Sequence, residues 1–355
     1  MRIAVTADPM LPVPPHQYGG IERIISMLVE ELVDRGHDVT LFAHRESDVP
    51  CRLVPYKGGG TQSILDEARN ILSVSRLVLD RPDIVHSFGR LAYLSALLPL
   101  NIPKIMSYQR EPTPSRIRYA ATVSRKGSLI FTGCSSHITA RIPPAAAAYT
   151  IPNGVPMDTY DFQESVKDDA PLFFLGRIDR VKGVHTAIEI ARRTDQRLII
   201  AGNVPDSQNE EPYFETVIKP KLDGEQIRYI GPLCDEEKNY YLGQSAALLM
   251  PIEWEEPFGI VMTEAMACGT PVIGRRLGSV PEVVEHGETG FLFDTVDEAA
   301  EAVGRIGTID RRKCRKRCNQ FFSSQRVVDA YESMYEKFVN VGEEKISQNE
   351  IYTYK

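Results

Sequence analysis

Short apolar runs alternate with segments of helical periodicity along most of this chain, and this alternation constrains its fold more than any other feature. Each run is only a few residues long, which suits the strands of a parallel sheet whose two faces are covered by helices. The alternation therefore predicts an α/β fold with doubly wound parallel sheets. In the first half, strands are predicted at residues 2–7, 38–43, 84–86 and 104–106, and helices at 21–35 and 91–98.

The second half repeats this pattern and predicts a second domain of the same kind. At 355 residues the chain exceeds the roughly 250–300 residues at which a single hydrophobic core stops growing. The segment 143–155, which contains Pro143-Pro144, four alanines and Ile151-Pro-Asn-Gly-Val155, interrupts the alternation and is interpreted as an interdomain crossing. We therefore predict domains over residues 1–155 and 156–325. A terminal helix over 326–342 is expected to pack back on the first domain, and the polar tail 343–355 to be partly disordered. In the second half, strands are predicted at 172–175, 197–201, 227–230, 247–250 and 271–273, and helices at 183–193, 235–244 and 259–268.

The composition argues against several classes of protein. Hydrophobic residues make up 43% of the chain and charged residues 25%, as in globular proteins and unlike disordered or fibrous ones. The formal charge of −7 provides no general attraction to nucleic acid. The cysteines are dispersed without zinc-ligand spacing, no run approaches the about 20 apolar residues that cross a bilayer, and a strand-like segment follows Met1 directly. We therefore expect a cytoplasmic protein without a signal peptide, a zinc site or a nucleic-acid partner.

The segment from Glu253 to Glu264 carries the strongest chemical signal. A predicted strand ends at Met250 and a predicted helix begins near Gly259, where free backbone N–H groups and the helix dipole suit a phosphate. Glu256 precedes this helix and Glu264 lies about one turn inside it. Both carboxylates are therefore expected on the ligand-facing side, where they can accept hydrogen bonds from sugar hydroxyls. Paired glutamates near a helix start are also commonly caps or solvated charges, and the pair alone leaves that alternative open.

Two glycine turns also follow predicted strands. The turn Gly176–Gly183 presents Arg177 and Lys182, whose charges would neutralise a diphosphate and the charge that grows on it as a leaving group. An ordinary charged loop with a glycine turn is the alternative. After the first strand, Gly19 and Gly20 open a predicted helix and permit close approach of a pyrophosphate. They lack the three-glycine spacing of a dinucleotide site, which lowers the case for an NAD enzyme.

Taken in order, these segments resemble the retaining glycosyltransferases of family 4. The resemblance covers nearly the whole chain and rests on the Gly-Gly loop, the Ile-Pro-Asn-Gly-Val crossing and the Gly-Arg-Ile…Lys-Gly turn. Its most specific part is residues 256–273, Glu-Pro-Phe-Gly-Ile-Val-Met-Thr-Glu-Ala-Met-Ala-Cys-Gly-Thr-Pro-Val-Ile. It implies the GT-B fold, in which two Rossmann-like domains with parallel sheets face each other across a cleft. It also implies a hexosyltransferase-type enzyme that moves a sugar from a nucleoside-diphosphate sugar to a hydroxyl acceptor.

The resemblance also implies roles for individual positions. Arg177 and Lys182 would bind the donor diphosphate. Glu256 would contact the transferred sugar, and Glu264 would hold the ribose hydroxyls. At the start of the second-domain helix, the backbone of Phe258, Gly259, Ile260 and Val261 would contact sugar and phosphate. The loop at Gly19 and Gly20 would approach the phosphates. The base would be bordered by Gly202, Ile230 and Leu233.

On the acceptor side the chain departs from the family pattern. His86 stands at the end of a predicted strand, where relatives often carry a histidine, and the alternative is a histidine satisfied in a loop. Gln109 stands where relatives often place another histidine. Glutamine can hydrogen-bond a sugar hydroxyl but cannot carry a proton near pH 7. Both residues are candidate catalytic groups.

The expected chemistry needs no metal and no cofactor, because no Asp-x-Asp motif is present and the co-substrate is a nucleotide-sugar, a UDP- or GDP-sugar. In a retaining transfer, the diphosphate leaves with help from Arg177 and Lys182, and the acceptor attacks the same face. The sequence identifies no carboxylate nucleophile for a covalent glycosyl-enzyme. The acceptor is expected to be a sugar, a lipid-linked molecule or a small molecule in glycan, glycolipid or natural-product biosynthesis.

Two basic stretches stand out. Arg311–Arg317 packs six cations into seven positions, and its helical placement favours a solvated basic face over an RNA site. The other stretch, in the first domain, could meet an anionic acceptor or the inner face of a membrane as a peripheral contact. It consists of Arg110, Arg116, Arg118, Arg125 and Lys126.

Two other functions remain open at this point. A nucleotide-sugar epimerase could use the same fold, and so could a catalytically silent nucleotide-sugar-binding protein. The presence of both cations and both glutamates argues against the silent protein, which would not need all four.

Overall fold

The computed structural model describes residues 1–16, 19–59, 63–76, 80–205 and 212–341. These residues form two units, the first comprising Met1–Gly154 with the segment from Ser324 onward, and the second Val155–Ser323. The tail 343–355 and residue 342, where the terminal helix was predicted to end, lie outside the described residues.

A seven-stranded sheet, parallel throughout, forms the centre of the first unit. Its strands are β1 (Arg2–Thr6), β2 (Asp38–Ala43), β3 (Arg52–Pro55), β4 (Ile84–Ser87), β5 (Lys104–Tyr108), β6 (Leu129–Gly133) and β7 (Ala148–Thr150). The spatial order is β3-β2-β1-β4-β5-β6-β7, so the direction of winding reverses between β1 and β4. Every residue of β4, β5 and β6 is buried, as expected for strands covered on both faces.

Helices of the first unit follow from amphipathic patterns in the sequence. The described helices of this part of the chain are α1 (Gly20–Asp34), α2 (Ile64–Ser75), α3 (Pro114–Val123) and α4 (Ser136–Thr139), with a 3-10 turn at Leu91–Leu94. In α1 the buried residues Ile24, Leu28 and Leu32 recur at a spacing of four and form one core-facing stripe. The helix predicted over 91–98 is wrong in type and length, because this segment turns with 3-10 geometry and ends after four residues.

The terminal helix Ser324–Val341 belongs to the first unit. Its Glu332 carboxylate accepts hydrogen bonds from Arg35 (2.6 Å), and it contacts His37 (2.8 Å) at the end of α1. Tyr331 and Tyr335 are fully buried and contact Ser107 of β5 and His86 of β4, respectively. Residues that are far apart in sequence therefore complete the core of this unit.

The second unit is built on a six-stranded sheet whose strand pairs are also all parallel. Its strands are β8 (Leu172–Leu175), β9 (Leu198–Ala201), β10 (Ile227–Tyr229), β11 (Ala247–Met250), β12 (Val272–Arg275) and β13 (Gly290–Phe293). The order is β10-β9-β8-β11-β12-β13, so the reversal falls between β8 and β11. The described α-helices of this unit are α5 (Val184–Arg193), α6 (Asp235–Gly243), α7 (Ile260–Ala267), α8 (Val280–Val283), α9 (Val296–Arg305) and α10 (Arg311–Phe322). The terminal helix of the first unit, Ser324–Val341, is α11.

The predicted α/β class with two doubly wound parallel sheets is confirmed. Each of the nine predicted strands is present, with ends shifted by at most two residues. The sequence patterns missed β3, β6, β7 and β13. The segment before residue 151 had been interpreted as part of an interdomain crossing, but it contains the edge strand β7, which pairs with β6.

The basic run in α10 is only in part the solvated face that was predicted, since Arg312, Lys313 and Lys316 are exposed but the other three cations are not. Arg311 is 7% exposed and donates to the carbonyls of Gly243 (2.9 Å) and Ser245 (3.0 Å), at the end of α6. Arg315 donates to the carbonyl of Ala267 at the end of α7, and Arg317 to the carbonyl of Val283 (2.9 Å) at the end of α8. Arginines placed at helix C-termini satisfy unpaired carbonyls and complement the helix dipole. Half of this run is therefore structural.

Candidate functional site

Two loops of the second unit leave neighbouring strands at the carboxyl edge of the sheet. β8 and β11 pair directly at the point where the winding reverses, and the turn Gly176–Gly183 follows β8 while the loop Pro251–Gly259 follows β11. In open α/β sheets, ligands bind outside the carboxyl ends of the strands at such a switch point. The two strongest chemical signals of the sequence therefore meet where the topology favours a ligand.

Lys182 and Glu256 form the centre of this site. The Lys182 ammonium lies 2.6 Å from Glu256 Oε2, and the side chains are 17% and 9% exposed. The indole N–H of Trp254 donates to the same carboxylate oxygen over 2.8 Å. The ammonium also lies 4.8 Å from the centroid of the Trp254 ring. A cation and a carboxylate, both predicted from the sequence, are thus brought together from two loops and share a third partner that the sequence analysis left without a role.

The Pro251–Gly259 loop is fixed against the first turn on one side. The amide of Glu253 donates to the carbonyl of Val181 over 2.8 Å. Gly183 has a φ of 73°, and a β-carbon there would lie 1.9 Å from the carbonyl oxygen of Pro251. Only glycine permits this approach, so Gly183 is required for the two loops to pack against each other.

A second anchor holds the loop on its other side. The amide of Ser279 donates to the carbonyl of Glu256 over 3.0 Å, and its hydroxyl donates to the carbonyl of Phe258 over 2.9 Å. A β-carbon at Gly278 would lie 2.4 Å from the backbone nitrogen and oxygen of Glu256. The backbone around Glu256 is consequently determined from both directions, which limits how far its carboxylate can move.

Arg177 lies at the more exposed edge of the site. Its guanidinium pairs with Asp179, and its side chain is 41% exposed. Asp179 also accepts from the amide of Lys182 over 3.2 Å and so stabilises the turn that presents the lysine. Both cations were predicted from the sequence, whereas Asp179 was not, although an aspartate before a helical turn is a common capping signal.

The start of α7 offers backbone donors beside Glu256. Gly259 is the N-cap residue with a φ of 75°, and no side chain caps this eight-residue helix. The first amides of a helix have no partner within it, so those of Ile260 and Val261, both half-buried, are available to a ligand. This arrangement suits an anion such as a phosphate.

Glu264 points to a different set of partners from Glu256. Its Oε1 accepts from the Tyr160 hydroxyl and from the Lys238 ammonium, each over 2.8 Å, and the residue is 6% exposed. The two glutamates therefore have different partners, and Glu264 lies beside Lys238 of α6. That both carboxylates face one ligand stays a prediction. The contact of Glu264 with a ribose stays a prediction.

The positions expected to border the base follow β9 and β10. Gly202 has a φ of 141°, and a β-carbon there would lie 1.7 Å from the carbonyl oxygen of Gly176. Its amide donates to the carbonyl of Gly231 over 2.9 Å. Ile230 and Leu233 are half-buried on the same connection. They line the exit of β10, next to the turn that carries the cations, and their contact with a base stays a prediction.

In the first unit, His86 is a core residue. It is fully buried, and its Nδ1 and Nε2 lie 2.6 Å from the Tyr335 hydroxyl and the Ser107 hydroxyl, respectively. Burial lowers the pKa of this imidazole from 6.5 to about 3, so it is neutral at physiological pH. The expectation of a catalytic histidine at this position is wrong, because the strand directs the ring into the sheet-to-helix layer, where both nitrogens are already paired.

Gln109 follows β5 and lies at the carboxyl edge of the first sheet. Its Oε1 accepts from the Asn153 amide over 2.7 Å. Among the described residues, its Nε2 and Asp8 Oδ1 are buried without a hydrogen-bond partner. The other oxygen of Asp8 pairs with Arg110 over 2.6 Å. Unpaired buried polar atoms are uncommon, so this edge has unused capacity for a polar ligand.

The Gly-Gly loop opens α1, as predicted. Gly19 is the N-cap residue with a φ of 155°, and Gly20 begins the helix. A β-carbon at Gly19 would lie 2.9 Å from the carboxylate of Glu22, which is 8% exposed. Burial raises the pKa of Glu22 above its usual value. This acidic neighbour was not predicted from the sequence, and the contact of the loop with donor phosphates stays a prediction.

Comparison with known families identifies the chain. The family described as Glycosyl transferases group 1 matches residues 157–321, and that described as Glycosyltransferase Family 4 matches residues 18–159. The chain belongs to glycosyltransferase family 4. This family 4 protein is therefore a glycosyltransferase, as the resemblance of its motifs implied.

Individual relatives of this family 4 glycosyltransferase share modest identity. It is 25% identical to spore coat protein SA of Bacillus subtilis, over 95% of this chain and all of that protein. It is 33% identical to D-inositol 3-phosphate glycosyltransferase of Corynebacterium efficiens, over 41% of this chain and 36% of that protein. The crystal structure of Anabaena HepE with UDP-glucose matches with a TM-score of 0.73 at 15% identity, over 95% of this chain and all of that one. The predicted GT-B class, with two Rossmann-like domains, is confirmed.

Two of the remaining expectations concern a membrane-spanning helix and a metal site. None of the helices in the described ranges is long and apolar enough to span a bilayer. No three His, Cys, Asp or Glu side chains in those ranges are grouped to hold a metal ion. Independence from metal stays a prediction.

Proposed function

We propose that this family 4 glycosyltransferase is a retaining hexosyltransferase whose donor is a nucleoside-diphosphate sugar held by its second unit. The observation that carries the proposal is the pairing of Lys182 with Glu256 at the switch point, beside the uncapped start of α7. A diphosphate matches the ammonium and the free amides in charge and in hydrogen-bonding type. A sugar hydroxyl matches the carboxylate.

The same residues suit departure of the diphosphate. In the proposed step, the bond between the anomeric carbon and the phosphate oxygen breaks while the acceptor oxygen bonds to that carbon on the same face. The acceptor proton passes to the departing diphosphate. Lys182, Arg177 and the α7 amides offset the charge that grows on the leaving group, which is where electrostatic catalysis acts. Positive charge from these groups is the reason that we propose a metal-independent reaction.

UDP is the proposed nucleotide. It is supported by the UDP-glucose bound to HepE, whose fold this chain shares. Gly202, Ile230 and Leu233 would border the base, and Glu264 with its Lys238 and Tyr160 partners would face the ribose. A panel of UDP-, GDP-, ADP- and dTDP-sugars, read by thermal shift, tests the assignment. Stabilisation by the UDP-sugars is expected, and stabilisation by none of the four would contradict the donor site.

The acceptor is proposed to be a hydroxyl compound that meets the first unit near Gln109 and Asp8. A hydroxyl both donates and accepts, so it could use either of the unpaired atoms there. Gln109→Ala is expected to raise the KM for the acceptor and leave the KM for the donor unchanged. Unchanged kinetics for both substrates would remove Gln109 from the acceptor site.

A lipid-linked acceptor would place the first unit at a membrane surface. On α3, Arg116 and Arg118 are exposed, and Tyr119 is 69% exposed. An exposed basic and aromatic face suits anionic lipid. Co-sedimentation with phosphatidylglycerol vesicles is expected for the wild type and reduced for the double variant Arg116→Gln, Arg118→Gln. Equal sedimentation of both would contradict this contact.

Incubation with a labelled nucleotide-sugar separates the proposal from its alternatives. With acceptor, or slowly with water in its place, a transferase releases the nucleoside diphosphate and a sugar product with the anomeric configuration of the donor. Release of an epimeric nucleotide-sugar without acceptor would indicate an epimerase. Binding without any turnover would indicate the silent protein. An inverted product anomer would contradict retention.

A further inference from the structure

Trp254 contacts both members of the Lys182–Glu256 ion pair in the second unit. It is the single tryptophan of the chain and is 36% exposed. Its indole N–H donates to Glu256 Oε2 over 2.8 Å, and its ring centroid lies 4.8 Å from the Lys182 ammonium. One side chain therefore touches both groups that the proposed function assigns to the donor.

We propose that Trp254 is a positioning residue for the donor site, which holds Glu256 by its N–H and Lys182 by its ring. The inference rests on the proposed function, since it gives these two groups their ligands. Phenylalanine could offer the ring without the donor, and a polar side chain could offer a donor without the ring. The indole combines both, and this combination suits a pair whose members must separate when a ligand enters.

The exchange on ligand binding explains why a third partner is needed. In the unliganded protein, Lys182 and Glu256 satisfy each other. When a diphosphate takes the ammonium, Glu256 loses the cation beside it while it is still 7% exposed. A buried carboxylate without a partner is unfavourable. The indole N–H remains bonded to Oε2 and keeps that carboxylate oriented toward the sugar.

The backbone on both sides of Trp254 is anchored, so the indole has a fixed origin. Before it, the Glu253 carboxylate lies 3.0 Å from His185 Nε2 in α5, and its amide donates to Val181. After it, the Glu255 carboxylate accepts from the amide of Gly278 over 2.8 Å. Two carboxylates that flank the tryptophan thus fasten the loop in opposite directions. A positioning role requires this rigidity.

Two substitutions separate the two contacts of the indole. Trp254→Phe keeps a ring for Lys182 and removes the N–H from Glu256, whereas Trp254→Leu removes both. Tyr240→Phe is the matched control, because Tyr240 is an aromatic residue of α6 that is 63% exposed and outside these contacts. The ligands are UDP and UDP-glucose, or the equivalent pair chosen by the thermal-shift panel. Circular dichroism verifies that each variant is folded.

Calorimetry and kinetics have distinct expected outcomes. Trp254→Phe is expected to bind UDP within about twofold of the wild type and to lower kcat about tenfold, because only the sugar-facing carboxylate loses a charge-assisted hydrogen bond. Trp254→Leu is expected to weaken UDP binding about threefold to tenfold as well, since the ring contact with Lys182 is lost. Tyr240→Phe should match the wild type in both measurements.

The fluorescence of the single tryptophan provides a readout that a purely structural role would not move. UDP is expected to change the Trp254 emission of the wild type, because the diphosphate pairs with the Lys182 ammonium that lies over the ring. Lys182→Met is expected to change the emission without ligand and to abolish most of the UDP response.

The outcomes distinguish this inference from the proposed function. If no nucleotide-sugar binds the wild type by calorimetry, the proposed function fails and the positioning role falls with it. If UDP-glucose binds and is turned over, while Trp254→Phe and Trp254→Leu retain wild-type kcat and affinity, the positioning role is overturned and the proposed function stands. Equal losses in UDP binding for both tryptophan variants would also overturn the division of labour between N–H and ring.

Discussion

The burial of His86 leads to a pH dependence that separates a core histidine from a catalytic one. The unfolded chain binds a proton at this residue with a pKa near 6.5, whereas burial holds the folded pKa at about 3. The groups packed on the ring are Ser107, Phe88, Tyr331 and Tyr335, which are uncharged near neutral pH. Between these two pKa values the unfolded state therefore binds one proton more than the folded state.

The sign and magnitude follow from proton linkage. A depressed histidine pKa destabilises the fold as pH falls below about 6.5, by about 1.4 kcal/mol for each pH unit until the folded pKa is reached. At pH 5 the contribution is about 2 kcal/mol relative to pH 8. His86→Gln has no titrating group and can still hydrogen-bond Tyr335 or Ser107. The difference in unfolding free energy between wild type and His86→Gln should therefore shift by about 2 kcal/mol between pH 8 and pH 5.

Urea unfolding at several pH values, followed by far-UV circular dichroism, measures this shift. Trp254 fluorescence follows the second unit in the same samples and should be insensitive to the substitution. At pH 8, where the fold is intact, His86→Gln is expected to retain turnover within about twofold. A pH-independent stability difference would refute the burial argument. A loss of turnover above about tenfold in a folded variant would restore His86 as a catalytic residue.

Four further substitutions, two of which are controls, test which contacts stabilise the loops and helices of the second unit. Gly202→Ala should destabilise this unit by at least about 2 kcal/mol, because its β-carbon would lie 1.7 Å from a carbonyl oxygen. Gly304 in α9 has open space around it, so Gly304→Ala should be neutral or stabilising by up to about 1 kcal/mol. Both are read by the Trp254 transition in urea, and equal effects would contradict the close approach at Gly202. Arg311→Met should cost roughly 3–5 kcal/mol, since several buried carbonyls lose their donor, while the exposed Arg312→Met should change little. A neutral Arg311→Met would contradict the helix-end contacts.

Much of the fold follows from local sequence patterns, and the exceptions have physical causes. Strands such as β1 and β11 are short apolar runs, followed by Asp8-Pro9 and by Pro251, respectively. Such runs can be recognised without tertiary information. β3 and β7 lie at the edges of the first sheet. An edge strand needs fewer apolar residues, and β3 is only partly buried, so neither has a clear pattern.

Some residues of the candidate site could also be predicted from local sequence patterns, and others could not. Arg177, Lys182 and Glu256 were predicted because charged residues after buried strands have few structural explanations once they occur together. His86 was misassigned because its position at a strand end does not reveal which side of the sheet its ring faces. Trp254 carried no periodic or spacing signal, and its contacts become visible only when two loops from neighbouring strands are placed side by side.

The contacts of the basic run of α10 could not be predicted from local sequence patterns. Charge and helical periodicity predict a solvated face for Arg311–Arg317. The carbonyls that receive these guanidinium groups lie at the ends of three other helices. No local pattern records that proximity, so the structural role of the run depends on the assembled fold.

Calorimetric titration of UDP and UDP-glucose into the wild type, Lys182→Met and Glu256→Gln tests whether Lys182 and Glu256 form the donor site. The wild type is expected to bind, and Lys182→Met is expected to weaken the binding of both UDP and UDP-glucose at least about tenfold. Glu256→Gln is expected to weaken the binding of UDP-glucose while leaving that of UDP within about twofold. Circular dichroism confirms that the variants are folded. Wild-type affinity in both variants would contradict a donor site built on this pair.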